Sequence, residues 1–170
     1  DGGTVNQQLI NIIRNNVRVS DQVVGDMYSL ASCNETGHKR LLAMLEEFQL
    51  DSLDALSSYI LEHSYQATVD CINRLDPGSA SNTLTVDGYF DSIELAVKIS
   101  FEKDQVFADF EGTGGISPRG INVPLVYTRA YACYGIKCII APEIPNNSGS
   151  LAPFRVEAPE NCILNAKHPA

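Results

Sequence analysis

Apolar residues recur every three to four positions through the first 75 residues of the chain and every second position after that. The first pattern belongs to helices, the second to strands half covered on one face. Leu9, Ile10, Ile12 and Ile13 mark a first short helix. Ser20 and Asp21 are suited to cap a second, along which Val23, Met27, Leu30, Leu41, Leu45 and Phe48 return to roughly one face. Gly37 is the candidate break that would divide this run in two. Asp51 or Ser52 caps a further helix through Leu53, Leu56, Ile60, Ala67, Cys71 and Leu75, and Asp76-Pro77-Gly78 stops it. Thr83, Thr85, Ile93, Leu95, Val97, Ile99 and Phe101 then alternate with polar residues. They predict strands over 82–90, 92–102 and 105–111, with Glu102-Lys103-Asp104 turning a hairpin. A glycine-rich loop from Gly112 to Gly120 leads to Pro124, which a first helical turn tolerates. Leu125 to Ile140 reads as a mostly buried helix stopped by Pro142, and Phe154 to Ala158 as a short strand.

Helices followed by strands specify an α+β fold: an N-terminal helical segment, 1–76, then a β-rich segment, 77–170, whose small antiparallel sheet packs with one buried helix. The termini read as cut from a longer polypeptide, because residue 1 is not Met and the chain stops just past a strand-like run.

Charge narrows the class. With 12 basic and 21 acidic side chains the formal net charge is −9. No basic cluster exceeds His38-Lys39-Arg40, which argues against nucleic acid and against anionic membranes. The five cysteines (Cys33, Cys71, Cys133, Cys138, Cys162) are odd in number, contain no CxxC pair and lie mostly at apolar positions. They read as reduced core thiols of a cytoplasmic protein. His38, His63 and His168 are too scattered for a metal site, and no metal is expected in this segment.

The chemistry-bearing stretch is Ala108-Asp109-Phe110-Glu111-Gly112-Thr113-Gly114-Gly115, followed by Pro118-Arg119-Gly120-Ile121-Asn122-Val123-Pro124. A strand ends in a carboxylate, and a glycine-rich loop returns to a helix start. Such a loop brings backbone amides close to a ligand, and a helix start favours an oxyanion. It lacks the Gly-Lys-Ser/Thr of a nucleotide loop. The alternative is a tight strand–loop–helix connection that binds nothing, and the residues alone leave both open. On the first reading Asp109 and Asn122 are the candidate catalytic residues, with Gly112, Thr113, Arg119 and Thr128 binding substrate. Asp109, Thr113 and Asn122 are expected at one concave site.

Several stretches resemble one family in the right order. Asn15-Asn16-Val17-Arg18, Gly25-Asp26-Met27 and Asn34-Glu35-Thr36-Gly37-His38-Lys39-Arg40-Leu41 are similar to the helical middle of proteins of the hydantoinase B/oxoprolinase family. Asp109-Phe110-Glu111-Gly112-Thr113, Gly120-Ile121-Asn122-Val123-Pro124-Leu125, Thr128-Arg129-Ala130 and Tyr134-Gly135-Ile136-Lys137-Cys138 resemble its strand–loop–helix signature. Ile144-Pro145-Asn146-Asn147-Ser148-Gly149 and Val156-Glu157-Ala158-Pro159 continue the likeness. The chain departs at Gly114-Gly115, where the family carries Ser and other polar residues.

The resemblance implies part of an ATP-dependent cyclic-amide hydrolase of hydantoinase or 5-oxoprolinase type. Its partner would be a hydantoinase A-type ATP-binding subunit or domain. ATP/Mg and a divalent metal belong to the complete enzyme, the metal to a His/Asp-rich segment that family members carry upstream. Phosphorylation of the amide oxygen on the partner would prepare the ring for a nucleophile delivered from this side of the complex. A piece of a related acetone or acetophenone carboxylase, or a non-catalytic docking scaffold, are the alternatives.

Overall fold

A computed structural model describes residues 3–167, which form two compact units that divide between Leu53 and Asp54. His168 lies outside the described residues. Unit 1 is a helix pair, α1 (Gln7–Asn16) and α2 (Ser20–Glu47). Asn6 caps α1, its Oδ1 accepting from the backbone of Gln8 (3.0 Å) and Leu9 (3.1 Å). Ile10 of α1 and Val24 of α2 are its buried apolar side chains.

Helix α2 runs unbroken through Gly25 and Gly37 for 28 residues, about 42 Å. Gly37 does not divide it. Each glycine costs a helix about 1 kcal/mol, which the flanking Leu, Ala, Met, Glu, Lys and Arg residues offset. Ser20 is the first helical residue, and the cap position is Val19, which makes no side-chain cap bond.

Unit 2 opens with α3 (Asp54–Ile72), followed by β1 (Gly78–Val86), β2 (Ile93–Glu102), β3 (Gln105–Asp109), α4 (Leu125–Ile140), α5 (Ser148–Leu151) and β4 (Phe154–Glu157). This is the α+β order that the change of period predicts. The sheet order is β1-β2-β3-β4, with β1–β2 and β2–β3 antiparallel and β3–β4 parallel. The parallel edge is the departure from a purely antiparallel expectation. It arises because β3 and β4 are joined through a helix, a crossover that brings the chain back in the same direction.

Cross-strand partners share a face. Phe101, Val106 and Phe154 stand in one row, and Ile99, Ala108 and Val156 in the next. Ile72 of α3 closes on this face, and Ile136, Ile140 and Leu151 pack around it. The opposite face is polar, with Lys98, Asp109 and Glu157 aligned across three strands. At the β2–β3 turn Asp104 takes a left-handed conformation (φ 65°), which Asp tolerates. Asn73 fastens that turn to the end of α3, donating to the Asp104 carboxylate (2.7 Å) and accepting its amide (3.0 Å).

Helix α4 has the bounds that its pattern predicts, with Pro124 at the cap. It is not mostly buried. Cys133, Ile136 and Ile140 pack on the core, Thr128 is buried against Leu164 and Lys137 against the Ile144 carbonyl, while Val126, Tyr127, Tyr131, Tyr134 and Ile139 are exposed. No helix of the described residues is long and apolar enough to cross a membrane.

All five cysteines are free, with Cys33 and Cys138 exposed, Cys71 and Cys133 partly covered and Cys162 buried. Burial pushes the Cys133 thiol up, although the Arg129 guanidinium opposes the shift. A higher thiol pKa leaves less thiolate at a given pH and slows reaction. A thiol reagent at mildly alkaline pH is therefore expected to label Cys33 and Cys138 first, Cys133 later and Cys162 last. Mapping the modified peptides over time checks the order, and equal rates for Cys162 and Cys33 would contradict the fold.

Candidate functional site

The glycine-rich loop is built by its own backbone and three side chains. β3 ends at Asp109, whose Oδ1 accepts the amide of Glu111 at 3.0 Å and turns the chain. Glu111 thus sits in the turn beyond the strand, exposed. Gly112 follows with φ 90°, a conformation that costs a side-chain-bearing residue, and Thr113 donates its amide to Phe110 (3.1 Å). The Thr113 hydroxyl is buried against β2, donating to the Ala96 carbonyl (3.0 Å) and accepting the Ala96 amide (3.1 Å). Gly114 continues the contact, its amide 2.8 Å from the Glu94 carbonyl. A Cβ on Gly114 would lie 3.3 Å from that oxygen.

Asn122 closes the second half of the loop. Its Oδ1 accepts the Ser117 amide (2.8 Å), and its Nδ2 donates to the carbonyls of Ser117 (2.9 Å) and Arg119 (3.1 Å). Ser117 Oγ takes the Arg119 amide at 3.2 Å. The segment after β4 clasps this loop from outside. Ile163 donates to Gly114 (3.0 Å), Val123 to Ile163 (2.9 Å) and Ala166 to Val123 (3.0 Å). Thr128, buried on α4, donates its hydroxyl to Leu164 at 2.7 Å. The Lys167 ammonium, 2.7 Å from Glu160, holds that carboxyl below its usual range. A lowered carboxyl pKa contributes its stabilisation above the unfolded value and loses it as pH falls. Both groups of this pair are mostly exposed, so the contribution is small and salt-sensitive.

Between this loop and the β1–β2 connection lies a hollow of about 270 Å³, walled by Tyr89, Phe90, Glu94, Gly115, Ser117 and Arg119 among others. Arg119 lays its guanidinium over the Phe90 ring, 4.7 Å from the centroid, a cation–π contact that holds a flexible cation in place. Of the six residues singled out in the sequence, Arg119 alone lines the hollow. Gly112, Thr113 and Asn122 shape the loop that carries it, Asp109 makes the preceding turn, and Thr128 holds the clasp. The amides of Thr113, Gly114, Ser117, Arg119 and Ile121 all donate within the chain, and Arg119 is the one cationic side chain among the described residues that line the hollow.

The opposite wall, Tyr89 to Glu94, escapes a reading by pattern because Tyr89 and Phe90 favour strands. The turn signal was present in Asp87-Gly88. Gly88 is required there, since a Cβ would meet the Asp91 carbonyl oxygen at 2.0 Å. Among the described residues no three His, Cys, Asp or Glu converge in a way that could hold a metal ion.

Comparison with known proteins sets this geometry in context. A family model described as hydantoinase B/oxoprolinase matches residues 1–170. A Pseudomonas sp. (strain NS671) protein, provisionally named as the B component of a D-/L-hydantoinase, is 27% identical across 100% of this chain and 31% of its own. The 5-oxoprolinase 1 of Arabidopsis thaliana is 25% identical over 90% of this chain and 13% of its own length. The crystal structure of an ATP-dependent caprolactamase from Pseudomonas jessenii shares the fold, with a TM-score of 0.81 at 18% identity, over 99% of this chain and 30% of that one. The chain therefore spans about a third or less of the relatives it matches.

Proposed function

Because the chain belongs to the hydantoinase B/oxoprolinase family, we propose that it is a segment of a cytoplasmic ATP-dependent hydrolase that opens cyclic amides at the C–N bond. It works with a hydantoinase A-type ATP-binding subunit or domain. The observation that carries this reading is the family match along the whole chain. Hydantoinase, 5-oxoprolinase and caprolactamase, for which three of its relatives are named, act on cyclic amides, while an acetone carboxylase structure with the same TM-score of 0.81, at 14% identity, represents the carboxylase alternative.

Within this reading the hollow receives the ring. Its 270 Å³ lies at the small end of ligand sites, suited to a single small ring. Arg119 donates to an oxygen of the substrate, and the Phe90 face keeps the guanidinium pointed. Asn122 is a positioning residue that sets Arg119 through the 117–122 turn. Asp109 does the same for the preceding turn, with Gly112, Thr113 and Thr128 as the frame. ATP, bound by the partner, supplies activation of the amide oxygen by phosphorylation. The donor set of the described residues does not fit a metal ion, so no metal-dependent step is assigned to this segment, and the divalent ion belongs to the rest of the enzyme.

The test is ADP release and ring opening by the complete enzyme with hydantoin, 5-oxoproline and caprolactam. Turnover of at least one is expected. Bicarbonate-dependent consumption of acetone with no turnover of any cyclic amide would replace this reading with a carboxylase. In an active enzyme Arg119→Ala is expected to raise KM about tenfold, the loss of one charge-assisted hydrogen bond. An unchanged KM would remove Arg119 from the site.

A further inference from the structure

Three charged residues line the hollow: Asp91, Glu94 and Arg119. Two are acidic and one is basic, so together they leave it with one net negative charge. They do not cancel in pairs. The ion pairs of the described residues involve none of the three. Arg119 rests instead on the Phe90 ring, 4.7 Å from its centroid, while Asp91 and Glu94 are exposed.

The fold fixes the backbone that carries these charges. The Asp91 carbonyl oxygen lies so close to Gly88 that no Cβ fits between them. The Glu94 carbonyl accepts the Gly114 amide at 2.8 Å, which ties the start of β2 to the glycine-rich loop. The Asn122 side chain holds the Arg119 end of the same loop. A ring that carries a carboxylate therefore meets one attraction and two repulsions in the hollow. An uncharged ring meets neither, and still finds in Arg119 a donor for its carbonyl oxygen. In a space of about 270 Å³, one uncompensated like charge a few ångströms away is worth about tenfold in affinity at the effective dielectric of a protein surface. Solvent and salt shrink that factor without reversing its sign.

We propose that the hollow selects uncharged rings, such as a hydantoin or a simple lactam, over rings that bear a carboxylate, such as 5-oxoproline, and that Asp91 and Glu94 set the preference. The proposal rests on the assignment of the hollow to the ring. 2-Pyrrolidinone and 5-oxoproline share a five-membered lactam and differ by one carboxylate. Their binding to the complete enzyme, read by competition in ligand-observed NMR, needs no turnover. 2-Pyrrolidinone is expected to bind at least about tenfold more tightly, and salt at about 0.5 M should narrow the gap. Asp91→Asn with Glu94→Gln keeps the shape of both side chains and removes only their charge, whatever else walls the hollow in the complete enzyme. It should move the ratio of the two dissociation constants toward 5-oxoproline by about 10²-fold, the effect of two charges removed. Both side chains are exposed and outside the ion pairs, so the melting curve should match the parent. Arg119→Ala should weaken both rings. Tighter binding of 5-oxoproline, or a ratio that the double variant leaves unmoved while Arg119→Ala weakens both rings, would overturn the proposal and leave the ring assignment standing. Rings indifferent to Arg119→Ala, or no binding of either, would overturn the ring assignment and the proposal with it.

Discussion

Gly149→Ala is expected to be among the most damaging single methyl groups that can be added to unit 2. Gly149 lies in α5 against α3, and an added Cβ would fall 2.1 Å from the Leu61 carbonyl oxygen, 2.8 Å from its carbon and 2.9 Å from its Cα. Those atoms belong to the backbone of a 19-residue helix and cannot turn aside as a side chain would. The two elements must separate. Separation strains the capping box, in which Asn147 accepts from Ser150 N–H at 2.9 Å and Ser150 Oγ accepts from Asn147 N–H at 3.0 Å. It also strains the bond from Asn147 Nδ2 to Ser64 at 2.8 Å. Overpacking against fixed atoms together with loss of a buried polar link should cost about 3 kcal/mol or more. In a unit of this size that lowers Tm by about 15 °C. Gly25→Ala supplies the opposite sign. Its Cβ would meet nothing within 4 Å, and alanine in a helix interior stabilises by up to about 1 kcal/mol. Thermal melts of the two variants beside the parent check both, and a Gly149→Ala protein that melts with the parent would show that α5 does not pack on α3 as described.

Asn122→Ala should have the largest effect on activity of any residue outside the hollow. The side chain makes three bonds, all to the backbone of Ser117 and Arg119. Their loss frees the turn that presents the guanidinium. Displacement of a binding group by about 1 Å can cost about 10²-fold, and that is the expected drop in kcat/KM of the complete enzyme. Stability should fall less, by about 1–3 kcal/mol, because the turn lies at the surface. Asn122→Asp separates positioning from chemistry. It keeps the acceptor for the Ser117 amide but loses both donors, so activity between parent and alanine variant is expected. Full activity in Asn122→Ala with a native melt would show that the turn holds itself.

Much of the fold is legible in the pattern, and the exceptions have physical causes. The bounds of α4 follow directly from an apolar run between Pro124 and Pro142. Strands β2 and β3 and their turn follow from alternation and from the charged turn residues. Strand β1 runs from 78 to 86, rather than from 82 to 90 as alternation predicts. The aromatic pair Tyr89-Phe90 carries a strand propensity that Gly88 overrules, because the chain there passes too close to Asp91 for any Cβ. The direction of β4 could not be read, since four apolar-polar residues pair equally well either way until the crossover is known. At the site, the strand–loop–helix order is written in neighbouring residues. The stacking of Arg119 on Phe90 joins positions far apart in the chain. The inward turn of the Asn122 amide depends on two backbone carbonyls whose directions only the folded loop defines.

The parallel pairing of β3 with β4 also sets an order of events. β1, β2 and β3 follow one another through short connections and can pair as soon as each is made. Val106 must wait for Phe154, and Asp109 for Glu157, its register partner 48 residues later. Until that segment emerges and docks, β3 is the open edge of a three-stranded sheet, and Val106 lacks its partner Phe154 on the apolar face. Such an edge recruits other chains, and slow, distant pairings prolong the exposure. The vulnerable period in the life of this protein is therefore the interval in synthesis between residues 109 and 157, when a crowded or interrupted ribosome would release a chain able to aggregate through a strand that the finished molecule hides.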